Sequence, residues 1–334
     1  MTVLVTGGAG FIGSHVAEEL THLGYQVVVL DDLSGGFLSN VAEKVAFVEG
    51  SVIDTALVQS MFRQYKFDYV FHLAAYAAEG LSHFIRKFNY ENNVLGSINL
   101  INAAINHEVK CFVFTSSIAV YGNTQSPLRE DLCPLPEDPY GVAKLAVEQD
   151  LRIAQAMFGM PYIIFRPHNV YGERQNIGDK YRNVIGIIMN QILQDKPVTI
   201  FGDGTQTRAF SYIGDVAPII ARSIDIHEAY NQVVNIGSDK SCSINDLAAA
   251  VAVAMGVDAR IVHLEPRHEI QHAFASHNKM RRIFGASEQI PLEVGLERMV
   301  SWVKQDGSRV SLDFMNIEIM SKMPESWLPS EMLD

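Results

Sequence analysis

Cysteine is scarce in this chain, and so are the features that mark membrane, nucleic-acid and metal-binding proteins. The three cysteines, Cys111, Cys133 and Cys242, lie far apart, which predicts neither a disulfide framework nor a zinc site. No apolar run approaches a membrane span, and no leader pattern precedes the first strand. The net charge of −12, without a cluster of Lys or Arg, argues against nucleic acid or a membrane surface as partner. The cytosol is the expected compartment, and no metal is expected.

Three glycines at positions 7, 10 and 13 stand between an apolar strand and a helical pattern, in VLVTGGAGFIGS at 3–14. Each lacks a Cβ where a tight turn, the close approach of a pyrophosphate, or the packing of a helix on a strand requires that space. The unpaired amides at the start of the helix would face the phosphates. The pattern predicts a dinucleotide-binding site.

A second buried strand, 25–30, ends in Asp31 and Asp32, about 20 residues past the glycines. An acidic residue at that point binds the hydroxyls of an adenosine ribose. Two carboxylates would repel a 2′-phosphate, which favours NAD over NADP as the cofactor.

Strands and helices alternate through the first half of the chain. The pattern predicts further strands at 45–48, 68–75, 110–117 and 162–166, and helices at 89–106 and 140–158. This alternation predicts an α/β fold, a Rossmann-type doubly wound parallel sheet with a smaller mixed α/β substrate-binding lobe. The predicted division is an NAD-binding domain of 1–167 plus about 213–238, a substrate lobe of 168–212 plus 239–310, and a C-terminal extension, 311–334, packed on the surface.

A second group of residues predicts catalysis as well as binding. The fifth strand ends in Ser116 and Ser117 at the ligand edge of the sheet, and Tyr140 and Lys144 lie four residues apart on one helical face. An ammonium beside a phenol, together with a positively charged nicotinamide, is expected to lower the pKa of the phenol towards neutrality. Such a tyrosine can act as an acid or a base near pH 7.

These motifs together resemble one enzyme superfamily. TGGxGFIG at 6–13, DDLS at 31–34, HLAA at 72–75, Tyr140 with Lys144, and RPHNVYG at 166–172 are similar to those of the extended short-chain dehydrogenase/reductases. Within that superfamily the chain resembles the NAD-dependent nucleotide-sugar epimerases of the UDP-glucose 4-epimerase type. The resemblance runs from residue 2 to about 305, and the C-terminal extension lies outside it.

The resemblance implies a set of functional residues. It makes Ser117, Tyr140 and Lys144 catalytic, with Ser117 preferred to Ser116 because it stands three residues before Val120. The implied NAD-binding residues are Gly7, Gly10, Phe11, Ile12, Gly13, Asp31, Asp32, Ser34, Ser51, Val52, Leu73, Ala74, Ala75, Asn93, Tyr140, Lys144, Pro167 and His168. Those implied for a UDP-sugar substrate are Ala77, Glu79, Ser117, Tyr140, Asn169, Val184, Arg208 and Arg267. Arg208 and Arg267 match the arginines that bind the diphosphate, and a planar guanidinium suits that task.

The chain also departs from the family pattern. Ser51 stands where an Asp often holds adenine, Ala209 follows Arg208 where an Asp is usual, and His168 replaces a usual aromatic residue. The segment around Arg267 is shorter by one residue. Four histidines between positions 263 and 277 have no cysteine or paired carboxylate that would complete a metal site.

The residues after Ser117 bear on the reaction. Related dehydratases carry an Asp-Glu pair there and decarboxylases a nearby Glu, whereas this chain has Ile118 and Ala119. That difference favours 4-epimerisation, in which C4 is oxidised, the 4-keto sugar turns, and C4 is reduced. Two alternatives stay open, a lyase that uses an acid from another loop, such as Glu79, and a non-catalytic NAD-binding sensor or scaffold.

Two further expectations follow from the resemblance. Family members pair the helices predicted here at 89–106 and 140–158 into a homodimer, and these helices carry extra apolar residues: Leu95, Ile98, Leu145, Val147 and Leu151. Ala273 is expected to wall the pocket beside the sugar C2 substituent, or Phe274 if the register slips by one residue. A small wall would admit an N-acetyl sugar. The sequence does not name the sugar.

Overall fold

The computed structural model describes residues 1–124, 126–266, 271–285, 288–310 and 314–327. Its strands, in chain order, are β1 (Thr2–Thr6), β2 (Gln26–Asp31), β3 (Ala46–Glu49), β4 (Tyr69–His72), β5 (Cys111–Thr115), β6 (Tyr162–Pro167), β7 (Val170–Tyr171), β8 (Val198–Phe201), β9 (Thr207–Ala209), β10 (Ser211–Tyr212), β11 (Gln232–Ile236), β12 (Ser241–Ser243), β13 (Ile261–Leu264) and β14 (His272–Ala273).

The α-helices, again in chain order, are α1 (Phe11–His22), α2 (Thr55–Tyr65), α3 (Arg86–Tyr90), α4 (Gly96–Asn106), α5 (Pro139–Phe158), α6 (Val184–Leu193), α7 (Ile213–Arg222), α8 (Ile244–Met255), α9 (Asn278–Phe284) and α10 (Leu292–Asp306). Among the described residues, no helix is long and apolar enough to cross a membrane.

Seven parallel strands form the central sheet, in the order β11-β6-β5-β4-β1-β2-β3. The order reverses between β1 and β4, and the carboxyl ends of the strands at such a switch point leave a crevice for a ligand. This confirms the predicted Rossmann-type fold. The predicted division of the chain into two lobes stays a prediction.

The strands alternate their side chains between two buried layers. Val3 and Val5 of β1 join the larger core, which includes α1 and α7, whereas Leu4 faces the core that α2, α4 and α5 cover. Because helices cover both faces of a parallel sheet, its strands are apolar throughout. This explains the continuous runs of valine and leucine near the N-terminus.

The helix predicted at 89–106 is longer and less regular than expected. It begins at α3, continues through a π-helical turn (Glu91–Leu95) and ends with α4. One inserted residue widens that turn, which is the usual structure of a π-bulge and is frequent at functional sites. The strand predicted at 68–75 ends at His72, so the following small residues form a loop along the edge of the sheet.

Three small sheets lie beyond the central one. They pair β7 with β10, β8 with β13, and β9 with both β12 and β14. The pairing of β14 with β9 places Ala273 opposite Arg208.

The described part of the C-terminal extension, 314–327, is mostly exposed but packs against the rest of the chain through two buried side chains. Trp327 is only 4% exposed and Met323 only 8%, because both join a cluster of apolar residues from segment 76–88. Two residues expected at a dimer face, Val147 and Leu151, lie fully buried under the sheet. Leu95 is 57% exposed and remains available.

Candidate active site

A cavity of about 1520 Å³ runs along the carboxyl ends of the central strands and beneath the smaller sheets. It exceeds the roughly 300–1,000 Å³ of pockets for drug-sized ligands. The glycine-rich turn lines one end of the cavity, and the wall continues along the loop that follows β4, whose Ala74 lies beside Gly7, as far as Gly80. The cavity therefore has room for two elongated ligands that meet near its middle.

The glycine turn has the geometry of a phosphate cradle. Gly7 adopts a φ of +71°, and a Cβ on Gly13 would lie 2.0 Å from the carbonyl oxygen of Gly7. Gly10 stands before α1 without a side-chain cap, and the first residues of α1 line the cavity. The N–H groups at this helix start are therefore available to an anion. These residues fit the pyrophosphate of a dinucleotide.

The two acidic residues at the end of β2 differ in their surroundings. The buried Asp31 carboxylate accepts hydrogen bonds from the backbone N–H groups of Ala9 (3.0 Å) and Leu33 (2.8 Å), so it orders the glycine turn. Burial raises the pKa of Asp31, and these hydrogen bonds act in the opposite direction. Asp32 is exposed and accepts from Ser34 N–H (3.0 Å). Both carboxylates line the cavity beside the glycine turn.

The structure brings nearly all predicted NAD-binding residues to this cavity. Those in its wall are Gly7, Gly10, Phe11, Ile12, Gly13, Asp31, Asp32, Ser34, Val52, Leu73, Ala74, Ala75, Tyr140, Lys144, Pro167 and His168. Ser51 and Asn93 are not in the wall. Ser51 lies between two lining residues, and the Asn93 amide is occupied by the backbone of Tyr76 (2.8 and 3.1 Å). Asn93 therefore holds the loop after β4 in place.

The two serines at the end of β5 have different hydrogen-bond partners. Ser116 also contributes to the cavity wall, but its buried hydroxyl is engaged, because it donates to the Glu148 carboxylate (2.5 Å). Ser117 is partly exposed and lines the cavity, where its hydroxyl accepts from Ala119 N–H (3.1 Å). This difference supports the choice of Ser117 over Ser116.

Tyr140 and Lys144 both lie in the cavity wall on the first turns of α5, which Asp138 caps through Gly141 N–H (2.8 Å). The Lys144 ammonium lies 5.7 Å from the centre of the Tyr140 ring and donates to the carbonyl oxygen of Thr115 (2.7 Å). The pair therefore shares one helical face, as the four-residue spacing predicts.

The expected lowering of the Tyr140 pKa is not produced by the protein's own groups. Burial raises the pKa of this phenol, and an interaction with the Ser117 hydroxyl acts in the opposite direction. Burial also lowers the pKa of Lys144 to about 7, which the Glu148 carboxylate opposes. Desolvation of both groups outweighs their mutual attraction. The predicted lowering of the Tyr140 pKa also relied on the positive charge of the nicotinamide. That charge is a further source of stabilisation for the phenolate.

A buried ion pair beneath the catalytic residues could not be identified from the sequence. Glu148 and Arg166 are at most 1% exposed and are joined by two hydrogen bonds, of 2.9 and 2.5 Å. Arg166 also stacks on the ring of Tyr121, 4.6 Å from its centre. The spacing gives only half of the signal, since Glu148 follows Lys144 by four residues on the same helical face but no spacing indicates Arg166 as its partner. The pair fixes the end of β6 against α5.

The predicted substrate residues also converge on the cavity. Those in its wall are Ala77, Glu79, Ser117, Tyr140, Asn169, Val184 and Arg208. Arg208 donates to the backbone oxygens of Thr207 (2.9 Å) and Gln271 (3.2 Å). Arg267 lies outside the described residues. Ala273 lines the cavity and Phe274 does not, which is the register that the sequence favours.

His168 is part of a hydrogen-bonded chain that crosses from β6 to the smaller sheets. Its Nδ1 lies 3.1 Å from the carbonyl oxygen of Ala209, and its Nε2 lies 3.1 Å from Nε2 of the buried His277. The Nδ1 of His277 contacts the Asp239 carboxylate at 2.8 Å. Burial and the neighbouring His277 lower the pKa of His168 to about 4. These contacts give His277 a structural role, which sequence reasoning did not find.

Sequence reasoning also missed several other residues of the cavity wall, among them Asp179 and Arg182. Arg182 forms an ion pair with Asp179 (2.5 Å), and its guanidinium lies 5.0 Å from the centre of the Tyr76 ring. The described part of the C-terminal extension contributes further wall residues, among them Trp327. No motif marks these positions, because they come together only through the packing of distant segments.

Three comparisons with known proteins agree with this geometry. The NAD dependent epimerase/dehydratase family model matches residues 3–237. A putative UDP-glucose 4-epimerase of Methanocaldococcus jannaschii is 34% identical over 307 residues, covering 91% of this chain and 99% of that protein. The structure of the Thermotoga maritima UDP-glucose 4-epimerase with UDP-glucose has a TM-score of 0.88 at 33% identity, covering 92% of this chain and 99% of that one.

A third relative was solved with a different sugar nucleotide. The Bacillus cereus UDP-glucuronic acid 4-epimerase, solved with UDP-glucuronic acid and NAD, has a TM-score of 0.84 at 30% identity and covers 91% of this chain and 99% of its own. The family model spans well over half of the chain, and the cavity has the glycine cradle that the cofactor needs. The chain therefore belongs to the NAD-dependent epimerase/dehydratase family of extended short-chain dehydrogenase/reductases, and its cofactor is NAD.

Proposed function

We propose that this protein is an NAD-dependent 4-epimerase of a UDP-sugar. One observation carries the proposal: Ser117, Tyr140 and Lys144 meet in the wall of one cavity, and the neighbouring Ile118 and Ala119 offer no acid or base. Such a site can remove and return a proton at one hydroxyl. It provides no second proton-transfer group beside Ser117, where the related lyases have one.

The protein groups act on the C4 hydroxyl of the sugar. When bound, NAD+ supplies the two-electron oxidant at C4, and its reduced form reverses that oxidation. Tyr140, as phenolate, takes the hydroxyl proton and later returns it to the C4 oxygen. The Ser117 hydroxyl forms a hydrogen bond with the same oxygen. It also favours the phenolate form of Tyr140, because its interaction with the phenol lowers the pKa of that group.

Lys144 would stabilise the phenolate by its charge. Burial makes that charge costly, and the Glu148 carboxylate partly offsets the cost by raising the pKa of Lys144. The hydrogen bond from Lys144 to Thr115 holds the ammonium near the end of β5. The residues that would hold NAD itself are the glycine turn, Asp31 and Asp32 at one end and Pro167 near the catalytic residues.

Epimerisation also needs the 4-keto sugar to turn while its nucleotide stays bound. Arg208, Asn169 and Val184 lie in the part of the wall that the resemblance assigns to the nucleotide. A guanidinium can grip the diphosphate through paired hydrogen bonds and leave the sugar free to rotate about the link. The large cavity gives the sugar room for that rotation.

Glu79 supports a second candidate, a nucleotide-sugar dehydratase or decarboxylase. It lies in the same cavity wall as Tyr140, and its negative charge raises the pKa of that phenol. A carboxylate in this wall could act as the base for loss of water, or assist the loss of carbon dioxide. The same charge disfavours the phenolate that epimerisation needs. The position of the Glu79 carboxylate relative to the bound sugar decides between epimerisation and the lyase reaction.

Product analysis tests the proposal. Purified protein is incubated with UDP-glucose, UDP-galactose, their N-acetyl forms and the two UDP-uronates, and the products are followed by NMR. A 4-epimerase conserves mass and yields both C4 isomers from either one. Loss of water or carbon dioxide would establish the lyase instead. Glu79→Gln should leave epimerisation measurable, whereas it should abolish a lyase reaction in which Glu79 is the base.

A further inference from the structure

The described part of the C-terminal extension, residues 314–327, is bound to residues 84–88, at the start of α3, by four hydrogen bonds to their backbone groups. The Glu318 carboxylate accepts from the N–H groups of Lys87 (2.7 Å) and Phe88 (2.8 Å). The N–H groups of Glu318 and Ile319 both donate to the carbonyl oxygen of Phe84, at 2.8 and 3.1 Å. The extension is therefore held in one register along residues 84–88.

Aromatic packing fixes the two ends of this segment. Phe314 contacts the rings of Tyr76 and Phe88, with centroids 5.2 and 5.0 Å apart. Trp327 contacts Tyr181 at 5.5 Å, and its indole lies so close to the backbone at Gly80 that a Cβ there would come within 2.8 Å of it. Tyr76, Gly80 and Tyr181 all line the cavity. The extension is thus bound to both sides of the cavity mouth.

The same segment supplies part of the cavity wall. Its lining residues are Ile319, Ser321, Lys322, Pro324, Glu325 and Trp327. They continue the wall formed by the loop after β4, because the Trp327 indole packs against Gly80 and shares an apolar cluster with Ala78. Removing them would open that part of the cavity to water.

The relatives reach their full length without such a segment. The M. jannaschii and T. maritima proteins are matched over 99% of their own length, yet they leave a remainder of this chain unmatched. The extension lies beyond residue 305, where the resemblance to the family ends. The wall that it forms is therefore an addition to the site that these relatives have.

We propose that residues 314–327 are a specificity-determining segment of the active site, and that the Trp327 indole closes its sugar end. This rests on the proposed function, because it assigns the sugar to the end that contains Ala77 and Glu79. The segment limits the size of the sugar that enters, and it keeps the 4-keto sugar from escaping. An escaped ketone would leave the enzyme with its cofactor as NADH, which absorbs near 340 nm.

A side chain added at Gly80 tests whether Trp327 closes the cavity, and it does so without removing a polar group. Gly80 has helical backbone angles (φ −64°, ψ −41°), so alanine fits its conformation, but the new Cβ would displace the Trp327 indole. We expect Gly80→Ala to raise the KM for the parent substrate at least about fivefold, to accumulate NADH during turnover, and to retain NAD. Trp327→Ala should do the same, and the double variant should be no worse than either alone.

The control is Val310→Ala, just outside residues 314–327, 82% exposed and absent from the cavity wall. It should keep the parent KM and show no NADH. Trp327→Ala should also turn over UDP-sugars that are larger than the parent substrate. Folded Gly80→Ala and Trp327→Ala proteins with the parent KM, no NADH and the parent substrate range would overturn the proposal.

A fluorescence measurement separates this proposal from the proposed reaction. The chain has two tryptophans, so Trp302→Phe leaves Trp327 as the sole reporter. Saturation with a UDP-sugar should change its emission, whereas UDP, which lacks the sugar, should not. Equal responses to the two ligands would place Trp327 away from the sugar and overturn the proposal. A parent that binds the sugar nucleotide with this response but turns over none of the panel would overturn only the reaction.

Discussion

The two ends of the cavity are built by different means. At the predicted NAD end, one stretch of about 30 residues supplies a strand, a glycine turn, a helix start and two carboxylates, so that a ligand there would meet mainly backbone. At the sugar end, side chains from the loop after β4, from α5, from the segment before α6 and from the C-terminal extension converge. A contiguous site can be recognised from its spacing, whereas a convergent one depends on tertiary packing.

The largest effect is expected at the NAD end. Gly13→Ala would place a Cβ 2.0 Å from the Gly7 carbonyl oxygen, and backbone on both sides leaves it no room. We expect loss of bound NAD, measured by release of the nucleotide from denatured protein, and with it the loss of turnover. Gly24→Ala is the control, because its Cβ meets nothing within 4 Å although its φ of +88° is strained. A Gly13→Ala protein that retains NAD would show that the cradle tolerates a side chain.

In the middle of the cavity, a change at Tyr140 should affect turnover and not cofactor content. Tyr140→Phe should lower kcat by roughly 10²–10⁴-fold, the usual contribution of general acid–base catalysis, with NAD retained. Lys144→Ala should reduce both turnover and NAD retention, because in this superfamily the ammonium also serves the nicotinamide ribose. Tyr65→Phe, on α2 outside the cavity, is the control. More than about a tenth of the parent turnover in Tyr140→Phe would exclude the acid–base role.

Acid should destabilise both halves of the fold through buried histidines. Burial lowers the pKa of His72 to about 3 and of His168 to about 4, below the usual value near 6.5. As the pH falls, these histidines are therefore protonated in the unfolded chain before they are protonated in the folded one. Their contribution to the free energy of unfolding is complete above pH 6.5 and is lost as the pH falls towards their pKa values in the folded protein. Each histidine should cost about 2 kcal/mol between pH 7 and pH 5.

Urea unfolding at the two pH values measures this loss. His168→Phe should reduce it by removing one titrating group, whereas His22→Gln, at an exposed position of α1, should leave it unchanged. His72, between the Thr6 and Ser97 hydroxyls (2.7 and 2.8 Å), reports on the central sheet, and His168 reports on its junction with the smaller sheets. The same loss in His168→Phe as in the parent would mean that His168 does not titrate as expected.

Substrate range should change in a smaller and more selective way. Ala273 lines the cavity, so a small wall there is expected to admit an N-acetyl group at C2. Ala273→Tyr should lower kcat/KM for UDP-N-acetylglucosamine at least about tenfold relative to UDP-glucose, by steric exclusion. Phe274→Tyr is the control, because Phe274 is not in the wall. Equal rejection of the N-acetyl sugar by the parent and Ala273→Tyr would show that Ala273 is not the gate.

The smallest effect on catalysis is expected from the helices outside the cavity. Leu95, Ile153 and Met157 are 57%, 63% and 74% exposed, and this apolar surface supports the predicted homodimer. Leu95→Glu with Ile153→Glu should yield a monomer by light scattering, with turnover changed little. Val253→Glu, on α8 at an 80% exposed position, is the control. A parent protein that is already monomeric at micromolar concentration would contradict the dimer.

The sequence by itself determined the parts of this protein that depend on local rules. The glycine spacing, the acidic residues after β2, the alternation of strands and helices, and the four-residue step from Tyr140 to Lys144 each require particular residues at neighbouring positions. They predicted the fold and NAD, and most of the site residues that they indicated lie in the cavity wall. Their backbone geometry is set within one or two elements, so spacing alone reveals it.

Tertiary structure decided what depends on segments far apart in the chain. The pairing of Glu148 with Arg166, the contact of His168 with His277, and the packing of Trp327 on Gly80 join positions between 18 and about 250 residues apart. No periodicity encodes such a contact, because it arises from the way whole elements pack. The pKa of Tyr140 belongs to the same class, since burial from every side determines it.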